Sequence, residues 1–459
     1  MLHLQPKKLP TILESSLLLL SIVGIISYFI IRLQTVPHVP ILLGILVMLL
    51  YGFVRKFDFK TLQHGMIQGA QSGMGAILLF FMIGILISSW MISGTIPVLM
   101  DAAFSLASGS WFFAVVFAVT AIVGVSLGSS FTTSATLGVA FIGVAQTTDA
   151  SLAITAGAIV SGAFFGDKMS PLSDTTNLAS TIVKVDLFDH IKNMAWTTVP
   201  AFIISFILFV FLSPKVTGTP DKINAFKQQL DATGLMHWTS WIPLLLLIVL
   251  SLWKKPAFVT LAISSLTASV LAGFRGMAPF GDIWGIWFDG YKASTEVDAI
   301  NSLLSRGGIN SMLFTISLVI LALALGGLFF ITGVLPAILE GVRDMLQSIR
   351  SITVSTALTA IGINIFIGEQ YLSILLTGET YQDIYDKAGL ARKNLSRALE
   401  DAGTVINPLV PWSVCGVFLA DVLGVAVVDY LPFAFFCLLS PLLTIFFGLT
   451  GWTIKPKKA

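Results

Sequence analysis

Gly166-Asp167-Lys168-Met169-Ser170-Pro171-Leu172-Ser173-Asp174-Thr175-Thr176-Asn177 decides how this chain folds. Two carboxylates, a lysine, a proline and a run of hydroxyl and amide side chains follow directly on the apolar stretch 154–165. Ionisable groups at membrane depth are costly and are kept where an ion or substrate passes. Backbone that leaves helical form there must be buried in protein or line a cavity, because lipid offers no hydrogen bonds. The segment therefore reads as a broken helix carrying an ion-binding site.

The rest of the chain supplies the membrane. Of 459 residues, 56% are hydrophobic and 11% charged, where soluble proteins carry about a quarter charged residues. A bilayer span takes roughly 20 residues. Apolar runs of about that length or shorter occur at 15–31, 39–54, 76–91, 111–127, 154–165, 196–212, 241–253, 257–273, 312–330, 352–367, 414–423 and 431–449. The fold class is an all-α polytopic membrane protein of about ten to twelve spans. The first run is too long for a signal-peptide core and lacks a small-residue cleavage site, so it reads as a retained span. The runs at 134–146 and 371–377 suit half-helices or re-entrant hairpin arms, and 59–71 and 186–195 suit helices lying at the interface. A net charge of +2 gives no argument for nucleic acid. Cys415 and Cys437 lie in apolar runs and form no metal or redox pattern.

The two halves repeat. Ile92-Ser93-Gly94-Thr95-Ile96-Pro97 matches Ile331-Thr332-Gly333-Val334-Leu335-Pro336, and Gly128-Ser129-Ser130-Phe131 matches Gly368-Glu369-Gln370-Tyr371. Ser170-Pro171-Leu172 matches Asn407-Pro408-Leu409, and Val199-Pro200 matches Leu431-Pro432. The spacing between partners is nearly constant, as in an internally duplicated transporter. The expected organisation is repeat one at 1–214, a polar connection at 215–237 and repeat two at 238–459.

Lysine and arginine near span ends set orientation. Lys7, Lys8, Arg55, Lys56, Lys60, Lys254, Lys255, Arg343, Arg350, Lys455, Lys457 and Lys458 read as inside, with both termini cytoplasmic. Asp101 and the loop holding Asp282, Asp289, Glu296 and Asp298 read as outside. The repeats then run in inverted topology. Lys387, Arg392, Lys393 and Arg397 fall outside in this scheme, against the rule.

Sodium prefers hard oxygen ligands. Pro171 and Pro408 interrupt helical hydrogen bonding and free carbonyls beside polar side chains. The candidate site residues are Asp167, Ser170, Ser173, Asp174, Thr175, Thr176 and Asn177 in the first half, with Glu369, Asn407 and Ser413 in the second. A carboxylate there can hold a proton or a sodium ion, and that competition suffices for antiport. Competing readings pair Asp167 with Lys168 or make Asp174 a helix cap. Glu400 and Asp401 read as salt-bridge partners of the basic segment. None of His3, His38, His64, His190 and His237 lies in a predicted span, which argues against a membrane serine protease. No zinc-protease motif or phosphate loop occurs.

At these motifs the sequence resembles the NhaC-type sodium/proton antiporter family within the ion-transporter superfamily. Gly166 to Asn177, Asn394-Leu395-Ser396-Arg397-Ala398-Leu399-Glu400-Asp401-Ala402-Gly403-Thr404, and Pro408-Leu409-Val410-Pro411-Trp412 with Cys415-Gly416 carry the likeness. It implies Na+/H+ exchange in a bacterial plasma membrane, inverted repeats with re-entrant hairpins, and elevator-like movement. The family includes malate/lactate antiporter-like members. The expected partners are the bilayer, Na+ and H+, with small organic acids and a second copy of the chain as further expectations. No cofactor and no nucleic acid are expected.

Overall fold

A computed structural model describes residues 9–107, 110–214, 220–295, 301, 303–344 and 348–457. The readings placed on Lys7, Lys8, 215–219, Glu296, Asp298 and Lys458 lie outside the described residues, as does the side chain of Arg343. Among the described residues every regular element is helical, and the β contact is a lone bridge between Leu390 and Pro456. Seven helices are long and apolar enough to cross a bilayer, and up to nine if two bent pairs each count as one. The bent pairs are Arg392–Leu409 with Val414–Leu423, turning 47°, and Val427–Phe433 with Phe435–Thr450, turning 60°. Shorter apolar helices such as Phe112–Leu127 account for the remaining runs read from sequence. The chain is a multi-pass membrane protein.

Packing follows bilayer logic. Leu13, Leu17, Leu20, Leu46 and Phe211 are exposed, which suits a surface facing acyl chains. Where lipid is as apolar as leucine, helices gain from close packing at small residues. Phe59–Ser72 and Ile309–Ile331 show this. A Cβ on Gly327 would lie 2.1 Å from the Gly65 carbonyl oxygen, and one on Gly69 would lie 2.2 Å from that of Leu323. Phe112–Leu127 and Leu152–Met169 touch the same way, since a Cβ on Gly166 would lie 2.4 Å from the Gly124 carbonyl carbon.

Three expectations need correction. The 186–195 stretch is the start of one 26-residue helix, Leu187–Leu212, rather than a separate interfacial element. Asp186 caps it by accepting from Phe188 N and Asp189 N, and the apolar face simply continues past Pro200. His190 consequently lies within a candidate span, buried, with Nδ1 2.8 Å from Ser396 Oγ. Ser396 also donates to the Lys393 carbonyl, so the contact joins helices.

The third concerns 387–397. Ile349–Ile367 and Gln370–Lys387 form an antiparallel hairpin, tied by Thr359 to Tyr381 at 2.9 Å and Thr356 to Tyr385 at 3.3 Å. The chain therefore returns to the end where Arg350 began. The basic segment then joins the C-terminal tail: Ala391 N donates to Lys455 O and Lys457 N to Gly389 O. Asp386 is shared by Arg392 and Lys457, at 2.6 and 3.3 Å. The basic segment thus sits with Lys455 and Lys457, at the end where Arg350 lies.

The described part of the connection, from residue 220 on, carries a helix. Its Pro220–Ala232 helix is pinned by Lys227 to Asp101 at 3.0 Å. Arg275 donates to the Gly234 and Leu235 carbonyls.

The glycine crossing predicts that Gly327→Leu lowers stability by about 1–3 kcal/mol, the usual cost of overpacking. A fall in the melting temperature of the detergent-purified protein checks it, with Leu17→Ala on the lipid-facing surface as a near-neutral control.

Candidate ion site

The first break forms because Leu152–Met169 cannot continue through Pro171, which lacks an N–H. Ser170 turns extended, and a new helix, Asp174–Ile182, starts under Ser173 as its N-cap. Two side chains cover carbonyls exposed by the turn. Asn177 Nδ2 donates to Pro171 O and Ser173 O at 3.0 and 2.7 Å, and Thr176 Oγ1 donates to Lys168 O at 3.1 Å. Asp174 is not the cap; it sits exposed in the first turn, where the helix dipole favours an anion.

Facing this break, Phe112–Leu127 ends at Gly128 in the left-handed region, φ 67°. A Cβ on Gly128 would lie 2.7 Å from the Leu172 Cβ, so both conformation and contact require glycine. Ser129 then caps the next helical segment, Ser130–Thr133. Ser130 donates from N and Oγ to Asp167 Oδ2, at 3.3 and 2.7 Å. The chain continues through a π-helical turn, Ser134–Gly138, into Val139–Thr147.

The second half uses the same devices in the same order. Ile349–Ile367 ends at Gly368, φ 76°, and Glu369 caps the following helix by accepting from Leu372 N at 2.7 Å. Its neighbour runs Arg392–Leu399, a π-helical turn Glu400–Thr404, and a 3-10 turn Asn407–Leu409 at Pro408. Ser413 then caps Val414–Leu423, accepting from Gly416 N at 2.9 Å.

The tips from both halves meet at a cavity of about 430 Å³. Asp167, Asp174, Thr175 and Asn177 line it with Gly128, Ser129 and Ser130, and Gln370 and Tyr371 enter from the second half. Lys254 and Lys255 stand at one end. The other sequence-predicted residues lie elsewhere. Ser170, Ser173 and Thr176 are buried in the turn's own hydrogen bonds. Glu369 lines a neighbouring cavity of about 400 Å³ with Gln68 and Gln71, and Tyr371 borders both. Asn407 and Ser413 line neither cavity. Asn407 spends Nδ2 on Asn364 Oδ1 and Oδ1 on Cys415 N, at 2.8 and 2.9 Å, while Ser413 Oγ donates to Asn407 O at 2.5 Å. The second break is knotted shut by its own side chains, whereas the first is open.

Lys168 does not pair with Asp167. It crosses to the second half and forms a fully buried ion pair with Asp401. Ser440 Oγ donates to Asp401 Oδ1 at 2.7 Å and lies 2.9 Å from Lys168 Nζ. Thr444 Oγ1 donates to Asp401 Oδ2, and the Phe436 ring lies 5.7 Å from the ammonium. Asp401 is thus a salt-bridge partner, but of Lys168 in the first half rather than of the basic segment beside it, and the same expectation fails for Glu400. Its neighbour Glu400 is buried with no partner on either oxygen. Asn364 was missed as well. It donates to Gly403 O at 2.7 Å and to Ala402 O and Ser373 Oγ at 3.2 Å. An amide inside the apolar run 352–367 was the available signal.

The Na+/H+ antiporter family model matches residues 162–452, which include both breaks. The chain belongs to this family. It is 42% identical to the Na+/H+ antiporter NhaC of Alkalihalophilus pseudofirmus, over 93% of this chain and 92% of that one. It is 37% identical to the Na+/H+ antiporter NhaC of Bacillus subtilis, over 91% and 93%. It is 34% identical to the malate-2H+/Na+-lactate antiporter of Bacillus subtilis, over 97% and 96%. Among the described residues no group of three or more His, Cys, Asp or Glu gathers as a metal cage. A cation in the Asp167 cavity would be held by carboxylate, hydroxyl and amide oxygens, the donors that suit a hard cation.

Breaking one partner of a buried pair strands the other charge and costs about 3–5 kcal/mol. Asp401→Asn should therefore lower thermal stability sharply, and Lys168→Met combined with Asp401→Leu should recover much of the loss. A double-mutant cycle on melting temperatures in detergent checks the coupling.

Proposed function

We propose that the chain exchanges Na+ for H+ across a bacterial plasma membrane by alternating access, with both termini cytoplasmic. The observation that carries this reading is Asp167: a buried carboxylate at the wall of the cavity, held by Ser130. The adjacent Lys168 does not neutralise it, being committed to Asp401. The hydroxyls of Ser129 and Thr175 and the carboxylate of Asp174 share its cavity. Such a site holds either a cation or a proton, and opposite-charge attraction makes the two compete. Lys254 and Lys255 border the cavity, and they read as cytoplasmic. The described conformer is then the inward-open one.

A second reading has specific support. A lone ion needs little space, yet the cavity reaches about 430 Å³, within the small-molecule range. Lys254, Lys255 and the helix start at Asp174 offer positive potential to an organic acid. The resemblance to a malate-2H+/Na+-lactate antiporter supports malate or lactate as additional cargo. Neither reading involves an enzymatic step.

Asp167→Asn should abolish Na+-driven proton flux in proteoliposomes carrying an internal pH dye, while leaving the melting temperature near the wild-type value. Wild-type exchange by this variant would sink the assignment. Apparent Na+ affinity should weaken as pH falls, and an affinity flat across several pH units would separate the two ions' sites. Malate- or lactate-dependent flux in the same liposomes decides between the readings.

A further inference from the structure

A second set of buried oxygens lies outside the lining of the Asp167 cavity. Glu400 opens the π-helical turn Glu400–Thr404, in which Val405 N reaches back five residues to Glu400 O at 3.4 Å. Such bulges cost helical regularity and recur at functional sites. The turn puts the Glu400 carboxylate and the Thr404 hydroxyl one above the other, facing each other without closing a hydrogen bond of normal geometry.

The neighbouring helix Gln370–Lys387 runs antiparallel to this turn. Its register is fixed by two close contacts. A Cβ on Gly403 would lie 3.2 Å from Ile374, and one on Gly378 would lie 3.2 Å from Leu399. Those contacts bring Thr377 level with Glu400, on the face that also carries Ser373 toward Gly403. Thr377 Oγ1, Thr404 Oγ1 and both Glu400 carboxylate oxygens are fully buried, and beyond the approach of Thr404 to Glu400 none of them meets a hydrogen-bond partner.

The surrounding charges do not resolve this. Asp167, Lys168 and Asp401 are the groups within electrostatic reach of Glu400. Lys168 and Asp401 neutralise each other, and Asp167 is a like charge. A buried carboxylate left alone is expensive unless it is paired, coordinated or protonated. Four oxygens from one carboxylate and two hydroxyls form a donor set for a hard cation.

We propose that Glu400, Thr404 and Thr377 form a second binding position for a transported monovalent cation, Na+ or H+, distinct from the Asp167 pocket. The inference rests on the exchange reading above and extends it. One carboxylate in each half of the chain would carry one cation, so the two sites together set the coupling ratio.

The test uses full-length purified protein at alkaline pH. Bound 22Na+ per chain is counted at saturation, and protons released on adding Na+ are counted in weak buffer, for wild type, Glu400→Gln and Asp167→Asn. If the position takes Na+, Glu400→Gln loses about one bound Na+ per chain. If it takes H+, the Na+ count holds and about one fewer proton is released. Either result supports the proposal. Wild-type values on both counts in Glu400→Gln overturn it, because the carboxyl is then permanently protonated and structural. Wild-type protein that neither binds Na+ nor releases protons overturns both this proposal and the exchange reading. Wild-type counts in Asp167→Asn with a loss in Glu400→Gln overturn only the Asp167 assignment. Should Glu400→Gln fail to fold, Thr404→Val and Thr377→Val keep volume and charge. They are expected to weaken Na+ affinity or shift its pH dependence by about tenfold, and unchanged values in both overturn the proposal.

Discussion

The Lys168–Asp401 pair is the contact on which the arrangement of both halves depends. Its ends lie 233 residues apart, and both side chains are fully buried. In a low-dielectric interior such a pair repays its desolvation only when the remaining donors and acceptors are also satisfied. Ser440 and Thr444, one helical turn apart, supply that completion for Asp401. Three segments, Leu152–Met169, the Glu400–Thr404 turn and Phe435–Thr450, are thereby fixed at one point. Because Lys168 is consumed there, it supplies no counter-charge to Asp167, its immediate neighbour at the cavity wall. The structural bond and the chemical potential of the site are two consequences of one lysine's direction.

Breaking a helix inside a membrane exposes carbonyls and N–H groups that lipid cannot satisfy. Each break here is covered by short polar side chains close in sequence: Asn177 and Thr176 in the first half, Asn407 and Ser413 in the second. Asn364 adds a longer-range tie to Ala402, Gly403 and Asn407. The second break is therefore the stiffer of the two. Tyr430 Oη reinforces it, donating to Pro408 O at 2.5 Å. Two breaks built with similar devices thus differ in outcome: one is an open cavity wall and the other a closed knot.

Much of this was legible in the sequence because membrane burial restricts what residues can mean. Pro171 amid Asp, Ser and Thr after an apolar run could only be a broken span, and Gly128 with Gly368 marked the matching ends. Relationships across the fold were not legible. Nothing local says that Lys168 selects Asp401 over Asp167, or that Glu400 is left out of the same pairing. The placement of Lys387, Arg392, Lys393 and Arg397 stayed open for a related reason. Apolar 371–377 suits a short hairpin arm, yet the helix extends past it through polar residues to Lys387, because Tyr381 and Tyr385 bury against Thr359 and Thr356. Protein neighbours replaced the apolar length that lipid would demand.

The cavity also divides the molecule by kind of helix. Its carboxylates sit on interrupted segments, while the opposite wall, through Thr260 and Leu261, belongs to the continuous helix Ala257–Phe274. Two of that wall's hydroxyls, on Thr260 and Ser264, are held within its own layer. Thr260 donates to Pro256 O, Ser264 donates to Pro243 O, and Trp90 donates to Ser264. Asp167, by contrast, is bound from Ser130, on its own side of the cavity. A boundary that none of these hydrogen bonds crosses can shift without breaking them, which is a condition a moving site must meet in a solvent that forms no hydrogen bonds. On the exchange reading, the broken segments would travel together with Asp167 and the Lys168–Asp401 pair, and the continuous helices would stay behind.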